Sequence, residues 1–287
     1  MFRSRLAHVA VALLAGWCCS SGVAAAPLPF SKAGGRFELV TYNVAGLPEG
    51  ISRSHPLANL PRIGELLNRF DIALVQEDFA YPLELRRGMR LPHASSPFER
   101  SGLDFGDGLS QFSRWPFSNF RREAWTSCHG VVDSFFDCLT PKGFSVSRQA
   151  LGPGAFVHVY NLHMDAGWAP DDRAARQGQV EQLILAIRRE SSEQAVIVGG
   201  DTNLLPRERP LLERLMAEAG LSEACAEMGC PEPSRIDRVL FRGSRELRLR
   251  PLRWRVASEF VDDAQRPLSD HLAVAVEFEW RRERAGS

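Results

Sequence analysis

The 287-residue chain has no surplus of charge: 35 lysines and arginines face 35 aspartates and glutamates. A protein that holds nucleic acid through phosphates alone displays a basic face. The balance excludes that class of binder, yet it leaves room for a nuclease whose metal supplies the positive charge. Long apolar runs are also missing. The run VAVALLAGWCC (Val9 to Cys19) is too short to cross a bilayer, and no other stretch approaches that length. There is no Pro/Ser/Gly linker, repeat or low-complexity tract, which argues for one domain with a large core. Cysteine is sparse, with six residues and no Cys-x-x-Cys pair or neighbouring His cluster. A structural zinc site is therefore not expected.

What is present at the start is an ordered sequence of signals. Arg3 and Arg5 precede the apolar run, and SSGVAAAP follows it. Charged, apolar and small-residue segments in that order read as a secretory signal peptide cleaved near Ala25 or Ala26. Residues 1–26 are thus expected to be the signal and 27–287 the mature domain, exported to the periplasm or the outside. Trp17 stands before Cys18 where a lipoprotein anchor wants a small residue. Cys18 and Cys19 leave with the signal. The four that remain form two local pairs, Cys128 with Cys138 and Cys225 with Cys230, and an oxidising compartment favours a disulfide in each.

Periodicity supplies the next layer. RFELVTYNV, DIALVQE, GLSQFSRWPF, GFSVSRQAL, AFVHVYNLHM, AVIVGGD, RIDRVLFR and HLAVAVEFEW read as strands. LANLPRIGELLNRF, DDRAARQGQVEQLILAIRRESS and RPLLERLMAEAG read as helices, the second with Val180, Leu183, Ile184 and Ile187 on one face behind an acidic first turn. The mixture predicts an α/β fold in which two sheets pack face to face with helices outside.

The strand ends carry the chemistry. VIVGGDTNLL ends a β-branched run on Asp201 and Asn203, which alone reads as an Asx turn. The other strands end similarly: Asn43 after the first, Glu77 after the second, His163 after VHVYNL, Asp237 in SRIDR, and Asp270 and His271 before the last.

The series Thr41-Tyr42-Asn43, Gln76-Glu77, Leu162-His163, Gly200-Asp201-Thr202-Asn203, Ile236-Asp237 and Ser269-Asp270-His271 resembles the endonuclease/exonuclease/phosphatase superfamily over residues 37–280. DGLSQFSRWPF, CLTPKGFSVSR and FVHVYNLHMDA are most similar to the secreted bacterial sphingomyelinase branch. The resemblance implies a deoxyribonuclease I-like four-layer sandwich and a metal-dependent phosphoric ester hydrolase. Hydrolysis of a phosphate ester needs neutralised phosphoryl oxygens, an in-line water and help for the leaving oxygen. Glu77, Asp270 and Asn43 are the expected ligands of Mg²⁺, with Mn²⁺ as a substitute. His271 is the expected base with Asp237 orienting it, although Asp201 serves as base in some relatives. Asp201 and Asn203 would position the nucleophile and a phosphoryl oxygen, and His163 would bond the phosphate or support the leaving group. The expected partner is a phosphodiester, as a lipid at a membrane surface or, alternatively, as nucleic acid. A monomer is expected. The competing readings are a secreted deoxyribonuclease-like enzyme and a non-catalytic binding module.

Two features depart from the sphingomyelinase pattern. EDFAYP puts Asp78 and Tyr81 where an Asn is usual, and RWRVASEFVDDAQRPLSDH offers only Trp254 and Phe260 where an aromatic-tipped hairpin is usual. Other conspicuous residues have plain readings: His158 as a satisfied strand residue, His55 and His129 as solvated loop residues, and Trp115, Trp125 and Trp168 as packing or groove residues.

Overall fold

A computed structural model describes residues 33–98, 106–130, 138, 140–232 and 234–283; the expected signal segment 1–26 lies outside these. In chain order the elements are β1 (Gly34–Asn43), α1 (Pro56–Leu67), β2 (Ile72–Gln76), α2 (Pro82–Arg87), β3 (His93–Ala94), β4 (Ser110–Ser113), β5 (Phe117–Ala124), β6 (Gly143–Gly152), β7 (Ala155–His163), α3 (Pro170–Ser191), β8 (Val196–Asp201), a 3-10 turn (Pro206–Glu208), α4 (Arg209–Ala219), β9 (Ser222–Glu223), α5 (Ala224–Met228), β10 (Asp237–Arg242), β11 (Leu247–Val256) and β12 (Val274–Arg282). Two six-stranded sheets form, ordered β11-β12-β1-β2-β4-β3 and β5-β6-β7-β8-β10-β9. Their inner faces bury Leu39, Leu74, Val157, Val159, Ile197 and Val276 against one another. The outer face of the second sheet packs on α3 and α4 through Leu162, Val198, Leu183 and Leu212, while α1 covers the first sheet with Leu60, Ile63 and Leu67. The result is the four-layer arrangement expected from the sequence.

Strand direction explains where a site can form. β1 runs parallel to β2, and β7 parallel to β8, so Asn43, Glu77, His163 and Asp201 all arrive at one rim. β10 and β12 run the other way, so their first residues and the segments before them reach the same rim. Alternation then selects the faces. Val157 and Val159 point between the sheets, and two steps further along the same face come Asn161 and His163.

Two glycines allow the layers to close there. A Cβ on Gly199 would approach Leu74 of the opposite sheet to 2.6 Å, and Gly200, at φ 151°, lies where a Cβ would be 2.1 Å from the Leu162 carbonyl. Below the rim a buried amide layer joins the sheets. Gln76 donates to Asn161 Oδ1 at 2.7 Å, and Asn161 donates to the carbonyls of Val75 and Ser110. The expected disulfides are both present, Cys128–Cys138 and Cys225–Cys230.

Several plain readings are refined. Trp115 is in the inter-sheet core, whereas Trp168 is 69% exposed. His158 is satisfied at Nδ1 by Ser191 Oγ, 2.7 Å away, and His55 is exposed at the start of α1. His129 stays part-exposed in its loop, as expected, and is also held there: its Nδ1 lies 2.7 Å from Asp172 Oδ1, and its backbone N–H donates to Asp165 Oδ2. A buried carboxylate pair recruits it because an unpartnered buried charge is costly. Asp78 is structural, accepting from Arg86 and Ser110, and Tyr81 accepts through its hydroxyl from the backbone of Glu49. Phe260 is buried against Tyr42 and Phe70 rather than presented to solvent, and Trp254 packs against the core.

Candidate active site

Glu77 follows five buried residues of β2 and breaks the strand at φ 58°. A left-handed backbone costs a non-glycine residue on the order of 1–3 kcal/mol, and such strain gathers at functional sites. Its Oε1 accepts from Asn43 Nδ2 at 2.9 Å, and the same amide nitrogen donates to Asp201 Oδ2 at 3.1 Å. Asn43 Oδ1 is engaged by the Ala45 N–H at 3.0 Å, which fixes the amide with its nitrogen toward the carboxylates. Asn43 is thus arranged here as a bridge between two acids rather than with its oxygen turned to a shared ligand.

Asp201 is the centre of the cluster. Its Oδ2 lies 3.5 Å from His163 Nε2 and 3.7 Å from His271 Nε2, while Oδ1 accepts the Asn203 backbone N–H at 3.0 Å. Asn203, at φ 48°, ties its amide nitrogen to the Met164 carbonyl at 3.0 Å. His163 is buried, 3.8 Å from Glu77 Oε1, and its main-chain carbonyl takes the Trp125 indole at 2.7 Å. On the other side, His271 Nδ1 is 3.0 and 3.1 Å from the two oxygens of Asp237. Arg235 braces that pair, donating to the Leu272 carbonyl at 2.9 Å and standing 3.5 Å from Asp237 Oδ2. Ser269 donates to the Asn43 carbonyl at 2.8 Å and so docks the Ser-Asp-His segment on β1; the neighbouring Asp270 is exposed.

Electrostatics separate the two imidazoles. Burial, followed by the charges of Lys142 and His271, holds His163 well below its ordinary range, so its ring is neutral. Burial also disfavours charge on His271, but the hydrogen bond to Asp237 and the carboxylates of Asp201, Asp237 and Glu77 outweigh it and push its pKa up to about 10. Burial and then the charge of Asp237 push Asp201 up to about 6. Burial raises Glu77 as well, against Lys142 and the Asn43 hydrogen bond. Burial is thus the main cause that raises both acids.

That crowding fits a divalent cation. Glu77 and Asp270 repel one another, and both are hard oxygen donors of the kind Mg²⁺ takes in ones and twos. A second set is also close enough to hold an ion: ligand atoms of Asp201, Asp237 and His271 lie within 4.8 Å of one another. In that set, however, both Asp237 oxygens already face His271 Nδ1. This leaves the pair better suited to proton transfer than to ligation.

All eight expected site residues therefore lie on the one rim. Seven are linked by the distances above, and Asp270 adjoins them in sequence. The sequence reading did not give a role to Lys142, which is buried with its charge acting on Glu77, His163 and Asp201. The available signal was scarcity, since Lys142 is one of only two lysines in the sequence. Arg235, which stands beside Asp237 and donates to the Leu272 carbonyl, had no assigned role, and the donation from the Trp125 indole to the His163 carbonyl was not expected, because neither contact is revealed by residue type.

Residues 40–271 match the Endonuclease/Exonuclease/phosphatase family. A sphingomyelinase of Mycobacterium tuberculosis is 30% identical over 279 residues, covering 88% of this chain and 54% of that protein. The chain thus spans about half the length of the curated relatives it matches. Among solved structures, a Staphylococcus aureus β toxin double mutant with bound magnesium ions is 16% identical at a TM-score of 0.60, with 84% of this chain and 99% of that chain covered. A D. rerio TDP2 complexed with a single-strand DNA product is 15% identical at a TM-score of 0.65, with 85% and 98% covered. The two structures show that the fold is shared, and the match from Val40 to His271, which spans the whole rim, shows the lineage: the chain belongs to the Endonuclease/Exonuclease/phosphatase family.

Proposed function

We propose that the protein is an exported, Mg²⁺-dependent phosphodiesterase of sphingomyelinase type, releasing phosphocholine from sphingomyelin. The observation that carries the reading is the His271–Asp237 pair facing Asp201 across 3.7 Å, with Glu77 and a buried His163 on the same rim. Residues 27–287 would act as one catalytic domain after a signal at 1–26, and the two disulfides accord with an oxidising destination.

Glu77 and Asp270 would hold the ion, with Asn43 orienting Glu77. When bound, Mg²⁺ supplies positive charge to the phosphoryl oxygens and offsets the carboxylates that keep His271 protonated. His271 Nε2 then accepts a proton from the attacking water while Asp237 holds Nδ1–H in place. Asp201 orients that water. Asn203 and His163 donate to phosphoryl oxygens, and the neutrality of His163 suits it as a donor that needs no counter-charge. Water would add to phosphorus as the bond to the lipid alkoxide breaks; the alkoxide would take its proton from solvent, and His271 would release to solvent the proton taken from the attacking water.

The lipid is favoured over nucleic acid by the sphingomyelinase relatives and by the charge balance of the chain. Buried Phe260 and half-buried Trp254 leave no aromatic hairpin tip, so dispersed lipid should be a better substrate than an intact bilayer. The test is a substrate panel in Mg²⁺: sphingomyelin, phosphatidylcholine, plasmid DNA and inositol phosphates. Sphingomyelin turnover above the others supports the assignment, and turnover confined to plasmid DNA would replace it with a nuclease.

A further inference from the structure

His158 lies on β7 five residues before His163, roughly 16 Å away at about 3.3 Å per residue. It faces the helix side of the second sheet, as Tyr160 and Leu162 do. Its Nδ1 is 2.7 Å from Ser191 Oγ, and the Tyr160 hydroxyl is 2.7 Å from the same oxygen. Tyr160 is fully buried, and its hydroxyl pairs with Ser191 Oγ, either of which can be the donor. With Tyr160 donating to Ser191, Ser191 is free to donate to His158 Nδ1, an arrangement that puts the ring proton on Nε2.

No bond to Nε2 is present among the described residues, and His158 lines a cavity of about 350 Å³ with Asn119, Arg121, Arg148 and Glu190. Asn119 stands at φ 54° in the bulge between Ser118 and Arg121. Arg148, opposite His158 in the strand register, lies over the Phe156 ring at 3.3 Å and has no carboxylate partner among the described residues. Arg121 pairs with Glu190, which also takes Arg189, and Arg242 donates to the Ser191 carbonyl behind the ring. Arginines therefore outnumber carboxylates around the cavity. Burial, then Arg148, Arg121 and Arg242, hold His158 below its ordinary range, consistent with a neutral ring that donates through Nε2.

We propose that this cavity binds a small oxyanion of phosphate type, with Arg148 and Arg121 supplying charge and His158 Nε2 and the Asn119 amide supplying oriented donors. The site lies apart from the catalytic rim, and its occupation does not depend on the phosphodiesterase reading. Charge-assisted bonds to guanidinium give it preference for oxyanions over chloride.

Inorganic phosphate titrated into the full chain at fixed ionic strength, followed by the NMR signals of the His158 ring, tests the proposal. A saturable shift of that ring is expected, with a rise in its pKa as the anion binds. Arg148→Gln, on the rim of the cavity, should weaken the response about tenfold, the loss expected for one charge-assisted bond, and leave phosphodiester hydrolysis unchanged. A parallel arm uses phosphatidylglycerol vesicles. Vesicle binding that Arg148→Gln abolishes assigns the oxyanion to a lipid headgroup, and binding of free phosphate alone assigns it to a soluble ion. A shift no larger than that given by matched chloride, or one equal in Arg148→Gln, would overturn the site.

Discussion

His271 presents Nδ1 to both oxygens of Asp237, at 3.0 and 3.1 Å, although the two residues are 34 positions apart, Asp237 opening β10 of the second sheet and His271 in the segment that leads into β12 of the first. The pair leaves Nε2 turned toward Asp201, where a water can be activated. A positioned base contributes on the order of 10²- to 10⁴-fold. His271→Ala should lose that range in kcat, and Asp237→Asn should lose less. The double variant should fall little below His271→Ala, because the pair acts as a unit. Near-normal rates in both single variants would transfer the base to Asp201.

Chelation should abolish activity, and Mg²⁺ or Mn²⁺ should restore it. Glu77→Gln should behave like the chelated enzyme while keeping its circular dichroism and thermal transition. Full turnover in EDTA would remove the ion from the mechanism.

The raised pKa of His271 makes a statement about stability. Its folded value of about 10 lies above the ordinary 6.5, so the folded state holds the proton more tightly than the unfolded chain. The stabilisation is complete below about pH 6.5 and is lost as pH rises toward 10. In metal-free protein, urea midpoints should therefore decline across that window, and His271→Gln should flatten the decline. A midpoint that rises from pH 7 to 10 in the wild type, or an equal fall in the variant, would contradict the assignment.

Reduction of the disulfides should weaken the fold without touching the rim chemistry. Closing the Cys128–Cys138 loop, with a separation of 10 residues, restricts the unfolded chain. In the chain-entropy model a loop of that size is worth about 2 to 3 kcal/mol. Urea unfolding with and without reductant reads the difference, and non-reducing peptide mapping should recover both local pairs. Free thiols in the oxidised protein would refute the pairing.

Much of this architecture was legible because the motifs sit at strand ends, where an abrupt change from Val, Ile and Leu to Asp, Asn or His is visible in the letters. AVIVGGD illustrates it: the apolar run, the two glycines demanded by Leu74 and the Leu162 carbonyl, and the acid at the rim all follow in order. β11 was not anticipated. LRLRPLRWRV alternates Leu247 and Leu249 inward with Arg248 and Arg250 outward, but its arginines and Pro251 mask the strand, and a bulge accommodates the proline on this edge. β5 escaped notice for the same reason, with arginines at 121 and 122. The amide layer of Gln76 and Asn161 was invisible because both partners look like ordinary polar residues until the sheets face each other. Likewise His129 gave no sign of its buried acids, which come from residues 36 and 43 positions away.

The most direct test of the central claim is phosphocholine release from detergent-dispersed sphingomyelin by the purified protein in Mg²⁺, with plasmid DNA incubated in parallel. The account predicts release that EDTA and His271→Ala each suppress, with little or no plasmid nicking. Rapid plasmid degradation with no phosphocholine released would contradict it.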